Sequence, residues 1–130
     1  MNPEQTPYVL LGGETAVRKL VDRFYELMDS LPQAQQIRAM HPHDLSGSAD
    51  KLFMFLSGWL GGPQLYMEEY GHPRLRMRHM HVPVDEVARD AWMLCMKKAL
   101  EEMNIEDEML KKQLLHSLFK TADFMRNQGD

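Results

Sequence analysis

Apolar residues in this chain recur every three or four positions, and nowhere do they alternate with polar ones over the length of a strand. Val17, Val21, Phe24 and Met28 form one such stripe, with Arg18, Lys19, Asp22 and Arg23 opposite and Tyr25 at its border. That spacing predicts a helix from about Glu14 to Met28, entered after Gly12-Gly13. A short helix from about Gln33 to Ala39 follows the Ser30-Leu31-Pro32 break, and His41-Pro42 ends it because a residue before proline avoids the helical region. Leu45, Ser48, Ala49, Leu52, Phe55, Leu56 and Trp59 share a face of a third helix, which Gly61-Gly62-Pro63 terminates. A polar connection, Gln64 to Arg74, has room for one short helix at most.

Two long helices are predicted after it. One runs from Val84 to about Met103, with Ala88, Trp92, Cys95, Met96 and Ala99 on one face and Asp85-Glu86 where the helix dipole favours acids. The other spans about Asp107 to Arg126, with Leu115, Leu118, Phe119 and Ala122 inward. The chain therefore reads as all-α, with two antiparallel helix pairs packed across each other. The long irregular stretch between the pairs needs a reason, since compact domains rarely keep one without a function.

Composition narrows the class. A length of 130 residues suits a single domain, and 44% hydrophobic with 26% charged residues is ordinary globular usage. A net charge of −4 gives no support to nucleic-acid binding, which needs a concentrated basic face. One cysteine, Cys95, cannot close an internal disulfide, and no apolar run approaches the ~20 residues that span a bilayer. The opening MNPEQTPYVL lacks the pattern of a signal peptide, so a cytoplasmic location without membrane partners is expected. Twelve methionines suit an adaptable core or a cavity beside a bulky group.

The stretch GHPRLRMRHMHVP, residues 71–83, gathers three histidines and three arginines. His79 lies one turn from Leu75 and is either a hydrogen-bonded core imidazole or a metal ligand. A zinc site of His72, His79, His81 and Cys95 fits no usual ligand spacing. Arg74, Arg76 and Arg78 alternate, so at least one should turn toward the core side and meet a carboxylate or phosphate; ion pairs with Glu68 and Glu69 are the plainer outcome. Tyr25, His41, Ser48 and Trp92 lie on or beside core-facing stripes, either satisfied separately or convergent on a small polar ligand.

The ordered set Arg23-Phe24-Tyr25, Pro42 with Asp44-Leu45, Phe55-Leu56 before Gly61-Gly62-Pro63, Tyr66, Gly71-His72-Pro73 with Leu75 through His79, and Arg89-Asp90-Ala91-Trp92 with Cys95-Met96 resembles the group II truncated hemoglobins. The resemblance covers about Gly12 to Phe124 and implies a single domain over 1–130, a two-over-two helical sandwich with a globin core at 12–126 after an N-terminal extension at 1–11. It implies heme b, iron protoporphyrin IX, with His79 as the proximal iron ligand. Phe55, Leu52, Leu75 and Trp92 would line the heme, and Arg76 or Arg78, with Tyr66, would meet its propionates. Tyr25, His41, Ser48, Leu52 and Trp92 would form the distal side.

One departure stands out: His41 occupies a corner where the family usually carries Tyr or Phe. It is expected to hydrogen-bond ligand or water, with direct ligation of iron by His41 or His43 as the alternative. The implied function is reversible dioxygen binding, with nitric oxide and carbon monoxide as related ligands. Donors from Tyr25, Trp92 and His41, at about 1–3 kcal/mol each, would shift affinity by orders of magnitude. The rival readings are a redox enzyme acting on nitric oxide or peroxide through an external reductase, and a heme-free helical interaction module. A monomer or homodimer is expected in either oligomeric case.

Overall fold

In the computed structural model, which describes residues 6–128, the helices are α1 (Pro7–Leu11), α2 (Gly13–Ser30), α3 (Gln35–Ala39), α4 (Ser46–Trp59), α5 (Leu65–Tyr70), α6 (Leu75–His79), α7 (Glu86–Glu101) and α8 (Glu108–Phe124), with a 3-10 turn at Pro32–Ala34 before α3. No strand occurs among the described residues, and the two-over-two helical sandwich expected from the periodicity and the resemblance is the observed architecture. None of the helices is long and apolar enough to cross a membrane.

The core forms where α2 lies against α4 and α7. Val17, Leu20, Val21, Phe24, Leu27 and Met28 of α2 are buried, and α7 presents Ala88, Ala91, Cys95 and Ala99 to the same interior. Those small side chains let helix backbones approach closely, while Met96 and Leu100 fill the remaining volume. Leu110, Leu114 and Leu118 carry α8 onto this layer. Asp85 and Asp107 cap α7 and α8, accepting from the backbone N–H of Ala88 at 2.8 Å and Leu110 at 3.0 Å.

Several boundaries and one face differ from expectation. Of the proposed N-terminal extension, residues 1–5 lie outside the described residues, and the remainder contains α1, which the stripe pattern did not reveal. Gly12, at φ 119°, ends α1 and begins α2, a conformation open to glycine. Across the domain, the Tyr8 N–H donates to the Leu60 carbonyl at 2.9 Å. A Cβ at Gly62 would sit 2.5 Å from the Tyr8 ring, so the Gly61-Gly62 pair seats α1 as well as ending α4. The possible short helix in the polar connection is α5.

Phe119, expected inward, is 40% exposed. Its ring lies 4.8 Å beneath the Arg89 guanidinium, which also pairs with Asp123 at 2.7 Å and Asp90 at 3.0 Å. The cation over the ring and the carboxylate beside it tie α7 to α8 at the surface, so this aromatic serves an ion-pair cluster instead of the core. Hydrogen bonding from Arg89 holds the Asp123 carboxyl below its ordinary range.

Candidate functional site

Four of the residues marked from sequence are linked through Phe24 and Tyr25: Trp92 meets Phe24, and His41 and the Ser48 carbonyl meet Tyr25. Phe24 is fully buried, packs edge to face on Tyr25 at 4.9 Å, and tilts against Trp92 of α7 at 5.1 Å. His41, at the corner after α3, stands with its ring 5.9 Å from that of Tyr25. The Tyr25 hydroxyl donates to the Ser48 carbonyl at 3.4 Å, long against the roughly 2.7 Å usual for O–H···O bonds, so a better acceptor can redirect it. Burial raises the Tyr25 pKa above its ordinary value, which keeps the phenol a neutral donor. The Trp92 indole N–H has no hydrogen bond among the described residues and is a second available donor.

His41 plays a different part. Its Nδ1 lies 2.7 Å from the Ile37 carbonyl. A carbonyl can only accept, so Nδ1 carries a proton and Nε2 is the nitrogen turned to other partners. His79 repeats this arrangement on α6, with Nδ1 2.7 Å from the Leu75 carbonyl. Its Nε2 is thereby the nitrogen that could coordinate a metal, and the carbonyl fixes ring direction. His79 shares no hydrogen bond or ring contact with Tyr25, His41 or Trp92 among the described residues; the two histidines belong to separate halves of the site.

A cavity of about 630 Å³ lies beside α6, lined by Phe55 and Trp59 of α4, Leu75 and Arg76 of α6, and Phe124 of α8. That volume falls in the range of roughly 300–1,000 Å³ usual for sites holding a small molecule or cofactor. Leu52, one helical turn after Ser48 on α4, is half-buried beside the core. Contrary to the sequence reading, Arg74, Arg76 and Arg78 are all exposed and none turns into the core. Arg78 Nε donates to the Pro73 carbonyl at 2.6 Å, with its guanidinium 5.8 Å from the Tyr66 ring. Arg76 donates to the Arg126 carbonyl at 3.3 Å. Among the described residues neither they nor Arg74 pair with Glu68 or Glu69, so the plain salt-bridge alternative is not realised.

The zinc grouping is not assembled either, since no group of three His, Cys, Asp or Glu could hold a metal ion among the described residues. His79 shares α6 with Leu75 and Arg76 but does not itself line this cavity, whose apolar walls, with the guanidinium groups of Arg74 and Arg76 at the rim, suit the edge of a planar dianionic metal cofactor. Periodicity missed Asn127, which lies beyond the last helix. Its side-chain amide donates to the carbonyls of His79 at 3.0 Å and Val82 at 2.9 Å and accepts from the Val84 N–H at 2.9 Å, clamping the segment that follows α6.

A two-over-two helical sandwich with carbonyl-anchored imidazoles at His41 and His79 and an aromatic, hydrogen-bonding pocket points to a globin-type protein. The chain belongs to the bacterial-like globin family, whose model matches residues 6–127. Group 2 truncated hemoglobin YjbI of Bacillus subtilis is 42% identical over 124 residues, covering 95% of this chain and 90% of that protein. The group II 2-on-2 hemoglobin of Agrobacterium tumefaciens superposes with a TM-score of 0.93 at 45% identity, covering 99% of this chain and all of that one. The truncated oxygen-avid haemoglobin from Bacillus subtilis superposes at 0.84 with 41% identity, over 95% of this chain and all of that one. The family implies heme and, with it, diatomic gas binding.

Proposed function

We propose that this protein holds heme b through His79 and binds dioxygen reversibly, with nitric oxide and carbon monoxide as further ligands. The observation that carries the reading is the His79 Nδ1 contact to the Leu75 carbonyl, which leaves Nε2 as the coordinating nitrogen. When bound, the heme supplies an iron with one coordination position open to a diatomic molecule. Everything else is the work of side chains. Phe55 and Leu75 border the cavity as apolar walls, and Arg76 and Arg78, with Tyr66, are suited to the two propionates.

On the distal side, Tyr25 and Trp92 are the donors that stabilise negative charge on the bound ligand. His41 changes its proposed role. With Nδ1 committed to Ile37, a singly protonated His41 ring accepts at Nε2 from a water and does not donate to the ligand. The oxygen-avid relative accords with a pocket rich in donors. Optical titration with hemin tests the reading: a Soret band and a five-coordinate ferrous spectrum are expected. A His79→Ala protein with unchanged ferrous spectrum and heme affinity would overturn the axial assignment. His41→Phe should leave oxygen dissociation no faster than in the parent, and a marked acceleration would restore His41 as a donor.

A further inference from the structure

All three guanidinium nitrogens of Arg38 are engaged around the corner that carries His41. Nε donates to Asp29 of α2 at 2.8 Å, Nη1 to the Pro42 carbonyl at 3.0 Å and Nη2 to the His43 carbonyl at 2.9 Å. The main-chain carbonyl of the same residue accepts from the His41 N–H at 3.1 Å. Residues 40–45 form no helix or strand, and Pro42 has no N–H to donate, so this stretch lacks a backbone ladder to fix it. Tyr25 and Asp29 stand one helical turn apart on α2. The corner therefore meets α2 at two points on one face: the Arg38–Asp29 pair, and the His41 ring 5.9 Å from that of Tyr25.

His41 and His79 share the same anchor, a carbonyl four residues back at 2.7 Å from Nδ1. Both rings thus leave Nε2 as the nitrogen open to a metal, and ring chemistry does not tell them apart as ligands. Placement has to. We propose that Arg38 is a positioning residue for the distal pocket: by pinning residues 42–43 to α2 it holds His41 against Tyr25 and keeps that imidazole from becoming a second iron ligand. The proposal rests on the heme reading, since a bound iron is the competing partner for Nε2.

The arrangement fixes position more than it adds stability. Pro42 and His43 are exposed, so water satisfies their carbonyls whenever the guanidinium is absent, and the net gain from each bond is modest. What water cannot supply is a rigid link from both carbonyls to Asp29. A planar guanidinium has donors in three fixed directions and meets three separate acceptors at once. A lysine has one compact ammonium on a flexible stem, and can keep the charge pair with Asp29 without holding the corner.

Arg38→Met removes the donors and keeps an unbranched stem. Amide exchange on the full chain should quicken about tenfold at Met40 and His41, as for one lost charge-assisted hydrogen bond, and stay unchanged in α7. In the hemin-loaded, reduced protein the same substitution should add a six-coordinate low-spin component to the optical spectrum. Combining it with His41→Phe should remove that component, and Arg38→Lys should resemble Arg38→Met. A spectrum that stays five-coordinate in Arg38→Met, a low-spin component that survives in the double variant, or full rescue by lysine would overturn the assignment. So would exchange that quickens equally in α7, which would make Arg38 a general stabiliser. A chain that takes up no hemin overturns the functional reading instead; the missing Soret band identifies that failure, and the exchange rates still report on the corner.

Discussion

The two halves of the site are built on different foundations. The distal half grows out of the folding core: Tyr25, Phe24 and Trp92 sit on α2 and α7, two long helices buried against each other. The proximal half is α6, five residues with none buried. It opens at Arg74, whose φ of 46° is unfavourable for a residue with a side chain by roughly 1–2 kcal/mol. Isolated helices shorter than about 12 residues are marginal in water. What secures α6 is a few hydrogen bonds: two local ones, the Leu75 carbonyl with His79 and the Pro73 carbonyl with Arg78, and the Asn127 clamp from the far end of the chain. The pocket that would tune the ligand is therefore as stable as the domain, while the segment that would grip the cofactor depends on a few hydrogen bonds and on the bound group itself.

The largest effect that could break this contrast is at His79. His79→Ala should abolish axial ligation and heme retention, whereas Tyr25→Phe should retain the Soret band; equal losses in both would erase the distinction. Next comes the distal donor itself. Removing the Tyr25 hydroxyl should speed oxygen dissociation about tenfold, the ~1.4 kcal/mol of one hydrogen bond to a charged acceptor, as read by stopped-flow.

A third effect appears only in alkali. The Tyr25 pKa is raised in the fold, so below pH 10 the phenol is protonated in folded and unfolded chains alike and its stabilisation is complete. Above that, the unfolded chain ionises first, and stability should fall by about 1.4 kcal/mol per pH unit until the folded phenol also ionises. Urea titrations between pH 9 and 11 should show that slope and its absence in Tyr25→Phe. The smallest effect is at the clamp. Asn127→Ala should cost about 1 kcal/mol and speed amide exchange around residues 79–84, leaving α2 unaffected. Faster exchange spread evenly over both halves would mean that the proximal segment is no separate unit.

How much of this was legible depended on whether periodicity or packing carried the signal. α2, α4, α7 and α8 were readable to within a few residues because each carries an apolar stripe at helical spacing, even where, as in α4, much of it is only half-buried. α1 was not, since its five residues bury none of their own and are held by Tyr8 against Gly62. Phe119 was misjudged because a stripe cannot reveal that Arg89 from another helix lies over the ring. The gathering of Tyr25, His41, Ser48 and Trp92 was suggested by resemblance, yet Phe24 as the bridge from Tyr25 to Trp92 could be seen only in three dimensions.

By itself, the amino-acid order determined the all-helical class and the one-turn offsets that put His79 after Leu75 and His41 after Ile37, because a helical period of 3.6 residues is a local property of the backbone. Tertiary structure alone decided that the arginines stay outside, that Asn127 reaches back to the segment after α6, and that Tyr70 meets solvent while Tyr66 does not. Those outcomes depend on which surfaces meet across the domain, and no local spacing encodes the distance between residues that are far apart in the chain.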